Sequence, residues 1–136
     1  MILLDANILM YAAGAEHPNK APSLAFLERV ASGTLDAGAD VEVLQEVLHR
    51  YRAIGRWHDG RRVFDLARKI VPTWYPVDLS TLDRARDLLE AHTTLTARDA
   101  LHAAVYFAVG AEALCTFDRD FDRIAGLRRV EPGEIV

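Results

Sequence analysis

Apolar residues run through this chain in two rhythms, short unbroken blocks and stretches with helical spacing, and the alternation of the two predicts the elements. The first block, Ile2-Leu3-Leu4, ends abruptly in Asp5, with Asn7 two residues further on. It reads as a buried strand delivering a carboxylate to the edge of a sheet. Asn7–Ala13 is a short helical segment, followed by loop signals in Gly14, His17-Pro18-Asn19 and Pro22. Leu24, Leu27, Val30 and Ala31 then recur at helical spacing, which predicts a helix over 20–32, closed by Gly33.

Thr34–Ala39 is a weak strand candidate. Asp40 offers an N-cap to a helix carrying Val43, Leu44, Val47, Leu48 and Tyr51 on one face and ending at Gly55. A further helix over 59–70 stops before Pro72, and Trp74–Asp78 reads as a short strand. Ser80, with Asp83 three residues on, resembles a capping box opening the helix through Leu82, Ala85, Leu88 and Leu89. Thr96 and Asp99 repeat that start before a very apolar helix with Leu101, Ala104, Val105 and Ala108, terminated at Gly110. Ala113–Phe117 is a buried strand ending at Asp118; a short helix over 120–125 and a strand near 128–130 complete the chain. With no repeat, low-complexity tract or linker, one domain over 1–136 is expected.

Short strands alternating with helices predict an α/β fold, a parallel sheet covered on both faces, with all loops after strands on one edge. Asp5 and Asp118 then sit at the carboxyl ends of strands. Glu46 lies in the second turn of a helix that follows a strand, and Asp99 in the first turn of a helix that precedes one. Helices run opposite to strands in such a sheet, so both helix starts fall at the carboxyl edge, where these folds bind ligands. Four acids from four segments converge there.

Each acid also has a purely structural reading. Asp5 can open a turn with Asn7, Asp99 can belong to the cap, Asp118 can cap the short helix, and Glu46 can be a solvated helix residue like Glu42 one turn away. Their common location is what favours a site. Crowded carboxylates cannot all stay ionised without help, and a hard divalent cation with oxygen ligands removes the conflict. Mg2+ or Mn2+ suits carboxylates and water completed by substrate phosphate. The implied chemistry is metal-assisted attack of water on a phosphodiester.

Composition narrows this picture. The 136 residues are 51% hydrophobic and 26% charged with a formal net charge of -4, as in an ordinary globular protein. That balance argues against a basic wrapper of nucleic acid, yet not against an enzyme whose acids hold cations that in turn hold phosphate. The single cysteine, Cys115, excludes an internal disulfide and a cysteine-rich zinc site, and fits a reducing cytoplasm. No leader-like start and no run of about 18 apolar residues is present, so a cytoplasmic protein without a membrane span is expected.

Four stretches, Leu3-Leu4-Asp5-Ala6-Asn7, Leu44-Gln45-Glu46-Val47-Leu48, Ala97-Arg98-Asp99-Ala100-Leu101-His102-Ala103-Ala104 and Thr116-Phe117-Asp118-Arg119-Asp120-Phe121, together resemble the PIN-domain nucleases, and among them the VapC-type toxins of toxin–antitoxin pairs. The match covers almost the whole chain in order. The resemblance implies a three-layer α/β/α domain with a five-stranded parallel sheet of order 3-2-1-4-5. It implies an endoribonuclease using Mg2+ or Mn2+, with Asp5, Glu46, Asp99 and Asp118 as its acidic site and products bearing 5′-phosphate and 3′-hydroxyl ends. Asn7 and Thr116 occupy positions that brace the acids by hydrogen bonds. Asp122, placed on Asp118's side if the last helix starts near Arg119, is an auxiliary ligand candidate, whereas Asp120 is expected to point elsewhere. RNA substrate, a cognate VapB-type antitoxin and a homodimer are the implied partners.

One departure is Asp40, where family members often carry serine or threonine; its capping role survives the change. His102, three residues after Asp99 on roughly the same side of the helix, is within reach of the site, but it is expected to be a packed or hydrogen-bonded helix residue, since hard-cation sites seldom use imidazole. Arg50, Arg52, Arg56, Arg61, Arg62 and Arg68, spread around Trp57, are expected to be a solvated face, with RNA backbone or an acidic partner as the alternative. Trp74 and Tyr75 are expected in the core or at a subunit contact. Two other readings stand beside the nuclease: a non-catalytic binding module of the same fold, and an aspartyl phosphatase of the haloacid dehalogenase class. The latter needs a second aspartate two residues after the first, where this chain has Asn7.

Overall fold

Ile2, Leu3 and Leu4 form the central strand of the molecule, which a computed structural model describes over residues 1–135. Strand β1 (Ile2–Leu4) pairs in parallel with β2 (Ala37–Asp40) on one side and β4 (Ala113–Cys115) on the other. β3 (Thr73–Tyr75) extends the sheet beyond β2, and β5 (Arg129–Val130) extends it beyond β4, giving the order β3-β2-β1-β4-β5. Helices α1 (Ala6–Ala13), α2 (Lys20–Ala31), α3 (Val41–Ala53), α4 (Trp57–Ile70), α5 (Leu79–Ala91) and α6 (Ala97–Val109) connect the strands. A 3-10 turn over Arg119–Arg123 joins β4 to β5. The expected α/β class and strand order are found.

Alternation along β1 divides the core into two. Leu4 packs with Ile8, Phe26, Val43, Val47 and Val63, from the layer α1 to α4. Leu3, pointing the other way, packs with Ala103, Tyr106, Leu114 and Phe121, on the face covered by α5 and α6. Because both faces are covered, the central strands β1 and β4 are apolar throughout, which is why they appear in the sequence as unbroken blocks. α6 stops at Gly110, whose φ of +67° ends the helix in the left-handed region that glycine adopts without strain. Among the described residues no helix is long and apolar enough to cross a membrane.

Several boundaries differ from expectation for local reasons. β2 starts at Ala37 instead of Thr34, because the amides of Thr34 and Leu35 bond back to the Arg29 carbonyl as α2 unwinds. β3 ends at Tyr75 and leaves Asp78 to cap α5: its Oδ1 accepts from the Thr81 amide at 2.9 Å and the Thr81 hydroxyl at 3.0 Å. Ser80 is therefore inside the helix it was expected to cap. The arginines of the basic stretch are all exposed, as expected of a solvated face, with Arg52 stacked over Trp57 and Arg56 paired with Asp59. Trp74 and Tyr75 pack, half-buried, against opposite faces of the core.

Candidate active site

The site is assembled around the hydroxyl of Thr116, which follows β4 and is fully buried. It donates to Asp5 Oδ2 at 2.8 Å and accepts from Asn7 Nδ2 at 2.9 Å and from the Asp118 amide at 3.0 Å. A hydroxyl has one proton and two lone pairs, so Thr116 is used to capacity. Asp5, the residue after β1 and N-cap of α1, is held at both oxygens: Oδ1 accepts from the Ala6 amide at 2.7 Å, and Oδ2 from Thr116. Its own amide donates to the Cys115 carbonyl at 3.0 Å, locking β1 to β4 just below the acids. Asn7, which also reaches Asp5 Oδ2 at 3.4 Å, thus occupies the bracing position expected of it.

Helices α3 and α6 bring in the other two acids. Glu46 is buried on α3, and Asp99 is half-buried in the first turn of α6, beneath the cap that Thr96 Oγ1 makes to its amide at 3.2 Å. A cavity of about 710 Å³ opens over Asp5, Glu46, Asp99 and Asp118, and Asp120, Asn7, Arg98, His49 and Arg50 complete its wall. All four acids named from the sequence line that one space. Burial pushes the Asp99 carboxyl up to about 6, with the charge of Asp118 adding to the shift. Glu46 is raised mainly by burial, partly offset by its contacts with His102 and Arg98.

Within this group, one ligand atom each from Asp99, Asp118 and Asp120 lie within 4.8 Å of one another, as do those of Asp5, Glu46 and His102. Carboxylate oxygens at that spacing fit a hard divalent cation.

The pairing of Asp118 with Asp120 instead of Asp122 reverses an expectation. Arg119–Arg123 forms a 3-10 turn, in which residues three apart eclipse, so Phe121 falls beneath Asp118 and is fully buried. Asp120 remains next to Asp118, its amide bonded to Asp118 Oδ1 at 2.9 Å, while Asp122 is drawn to Arg129 of β5 at 2.8 Å. An α-helical phase was assumed where a tighter one operates.

His102 is where sequence reasoning fell short. It is packed and hydrogen-bonded as expected, at 1% exposure, but its partners are site acids: Nδ1 lies 2.6 Å from Asp40 Oδ2, and Nε2 lies 3.0 Å from Glu46 Oε1 and 3.6 Å from Asp5 Oδ1. Burial alone would lower its proton affinity; the bonds to Asp40 and Glu46 and the surrounding negative charge outweigh this and hold it well above the ordinary imidazole range. Asp40 keeps its capping role, Oδ1 accepting from the Val43 amide at 3.2 Å, and uses the other oxygen for His102. Arg98 was also missed. Its Nε stands 3.2 Å from Glu46 Oε1 and 3.7 Å from Glu42. Its place beside Asp99 in the first turn of α6 was the available signal.

Comparison with known proteins gives the chain's family. The PIN domain family model matches residues 2–127. The chain belongs to the PIN domain family. Within it, the chain is 42% identical over 130 residues to ribonuclease VapC13 of Mycobacterium tuberculosis, covering 96% of this chain and 99% of that protein. It is 35% identical over 118 residues to ribonuclease VapC23 of the same species, covering 87% and 93%. Among solved structures, the PIN fold seen here superposes on VapC20 of M. tuberculosis, described as a sarcin-ricin loop cleaving toxin, with a TM-score of 0.77 at 17% identity over 96% of this chain and 98% of that one. The VapBC2 structure from Rickettsia felis gives a TM-score of 0.76 at 22% identity, covering 96% and 98%.

Proposed function

We infer that this PIN-domain protein is a metal-dependent endoribonuclease toxin of the VapC type, held inactive by a cognate VapB-type antitoxin. The observation that carries the reading is the convergence of Asp5, Glu46, Asp99 and Asp118 on one cavity at the carboxyl edge of the sheet. The ribonuclease relatives that match nearly the whole chain support RNA as substrate. Asp5, Glu46, Asp99 and Asp118 are the proposed ligands of Mg2+ or Mn2+, with Asp120 in the auxiliary role.

When bound there, the cation supplies charge stabilisation at the scissile phosphate and acidifies the attacking water. The chain's own groups do the positioning. Thr116 and the Ala6 amide prevent Asp5 from rotating, and Asp118 is set by its amide bond to the same hydroxyl. Arg50 and His49, exposed on the cavity wall one turn beyond Glu46, are placed to meet the phosphodiester backbone. Water adds to phosphorus as the bond to the 3′ oxygen breaks, leaving a 5′-phosphate and a 3′-hydroxyl.

The test is cleavage of total RNA with Mg2+ or Mn2+, with mapping of product ends. EDTA should abolish cleavage, and Asp5→Asn should reduce it by at least about 100-fold, the scale for losing a group that stabilises transition-state charge. Cleavage that survives both, or products ending in cyclic phosphate, would refute the reading.

The partner side of the inference rests on the same family and on an apolar groove of about 220 Å³ between α1, α2 and α4, where Leu9, Leu24, Leu27, Val63 and Leu66 suit the apolar face of an antitoxin helix. Co-expression followed by light scattering tests the complex and the homodimer together. A cytoplasmic location is inferred with the function, and the buried free thiol of Cys115 fits it.

A further inference from the structure

The three-residue chain Asp40–His102–Glu46 crosses the interior from the end of β2 through α6 to α3, and the chemistry described above uses only its Glu46 end. Asp40 is 3% exposed and His102 1% exposed, so neither is a surface group that happens to meet an acid. Asp40 accepts from two donors at once, the Val43 amide and His102 Nδ1, and this fixes the plane of the imidazole. The ring's far nitrogen then faces Glu46 Oε1 at 3.0 Å and Asp5 Oδ1 at 3.6 Å. The contact therefore ties Glu46 Oε1 to a ring whose plane is already set.

We propose that His102, anchored by Asp40, is a positioning residue whose Nε2 holds Glu46 Oε1 and thereby presents the other Glu46 oxygen to the cation and substrate. The inference rests on the metal-dependent reading of the site. Glu46 needs such a brace more than Asp5 does. Asp5 follows a strand and is fixed by a backbone amide and a buried hydroxyl, whereas Glu46 reaches in from mid-helix on a longer side chain with more rotatable bonds. Its other contact, Arg98, is 44% exposed and approaches the same Oε1 at 3.2 Å, so both donors leave Oε2 to the cavity. Hydrogen-bonded partners of metal ligands contribute about 10- to 100-fold to metal affinity or activity.

Two neutral replacements separate positioning from support. His102→Gln places an amide NH2 near the position of Nε2 and keeps the donor to Glu46. His102→Asn places one near Nδ1 and keeps only the contact with Asp40. Both are neutral, so electrostatic effects on the cation are shared and their difference reports the bond to Glu46. Mn2+ affinity, read from the EPR signal of free Mn2+, and kcat for RNA cleavage should both be better in the Gln variant, by about tenfold at the lower end of that range. Equal values, or the Asn variant performing better, would overturn the proposal and leave His102 a support for Asp40.

If the Asn variant does not fold, the wild-type protein still decides: in long-range 1H–15N spectra the His102 ring nitrogens should stay in their hydrogen bonds, free of the metal, when Mg2+ is added. A ring nitrogen that takes the metal as a ligand would overturn it. Wild-type protein that binds no Mn2+ and cleaves RNA in EDTA would instead bring down the metal reading itself, a different result from metal-dependent cleavage with no difference between the variants.

Discussion

Replacing Asp99 by asparagine should stabilise the metal-free protein while abolishing its activity. Asp99 is half-buried in the first turn of α6, facing Asp118, and burial together with that charge raises its carboxyl from 3.8 to about 6. A folded-state value above the unfolded one means the native state prefers the protonated acid. The resulting stability is fully present below pH 4 and is lost as pH rises through about 6. For a fully buried group this displacement corresponds to about 3 kcal/mol, and solvent screening at a part-exposed position reduces it to about 1 kcal/mol. Asparagine is nearly the same size and carries no charge. In EDTA at pH 8, Asp99→Asn should therefore melt about 2–4 °C higher than wild type. At pH 3 the two should melt together, because the wild-type acid is then mostly protonated in the folded and unfolded chains alike. Added Mn2+ should raise the wild-type melting temperature and leave the variant less affected. A variant that melts lower than wild type at pH 8 in EDTA would refute the electrostatic argument, because it would mean that the Asp99 carboxylate is stabilising before any cation arrives.

Thr116→Val is nearly isosteric but removes the hydroxyl that three groups share, leaving the Asn7 amide and the Asp118 N–H short of an acceptor. It should cost about 2–3 kcal/mol in urea denaturation, the scale for stranding buried donors, and an unchanged midpoint would show that the network carries no stability. Gly60→Ala improves helix propensity by about 1 kcal/mol, yet its new Cβ would overlap Tyr51 where α4 crosses α3. Net destabilisation of about 1–3 kcal/mol is expected in thermal melts, and a higher melting temperature would mean that the two helices separate easily.

The strands and most helices were legible because a sheet covered on both faces turns burial into unbroken apolar blocks, and β1, β4 and α6 are the plainest examples. The convergence of the four acids was also legible, since it follows from the antiparallel relation of helices to strands. Strand order came from the family resemblance. What could not be read was phase and long reach. Asp122 and Asp120 exchange roles because the Arg119–Arg123 turn winds with a 3-10 period, and nothing local in Arg-Asp-Phe-Asp-Arg distinguishes it from an α-helical start. The bond between Asp40 and His102 joins residues 62 positions apart, so neither residue carries a local sign of the other. The cap of α5 was misplaced because Asp78 and Ser80 both qualify, and the backbone leaving β3 selected the earlier one.

The bond from Thr116 to Asp5 spans 111 positions. On a ribosome the chain emerges from its amino end, and domains fold as units once enough of them has emerged. Asp5, Glu46 and Asp99 are therefore all made before the strand that locks Asp5 in place, and β1 has only one of its two neighbours until β4 arrives. A nascent or truncated chain lacking β4 holds most of the acids but no organised cavity. Competence for chemistry should then appear abruptly, with the last part of the chain, instead of growing in proportion to its length.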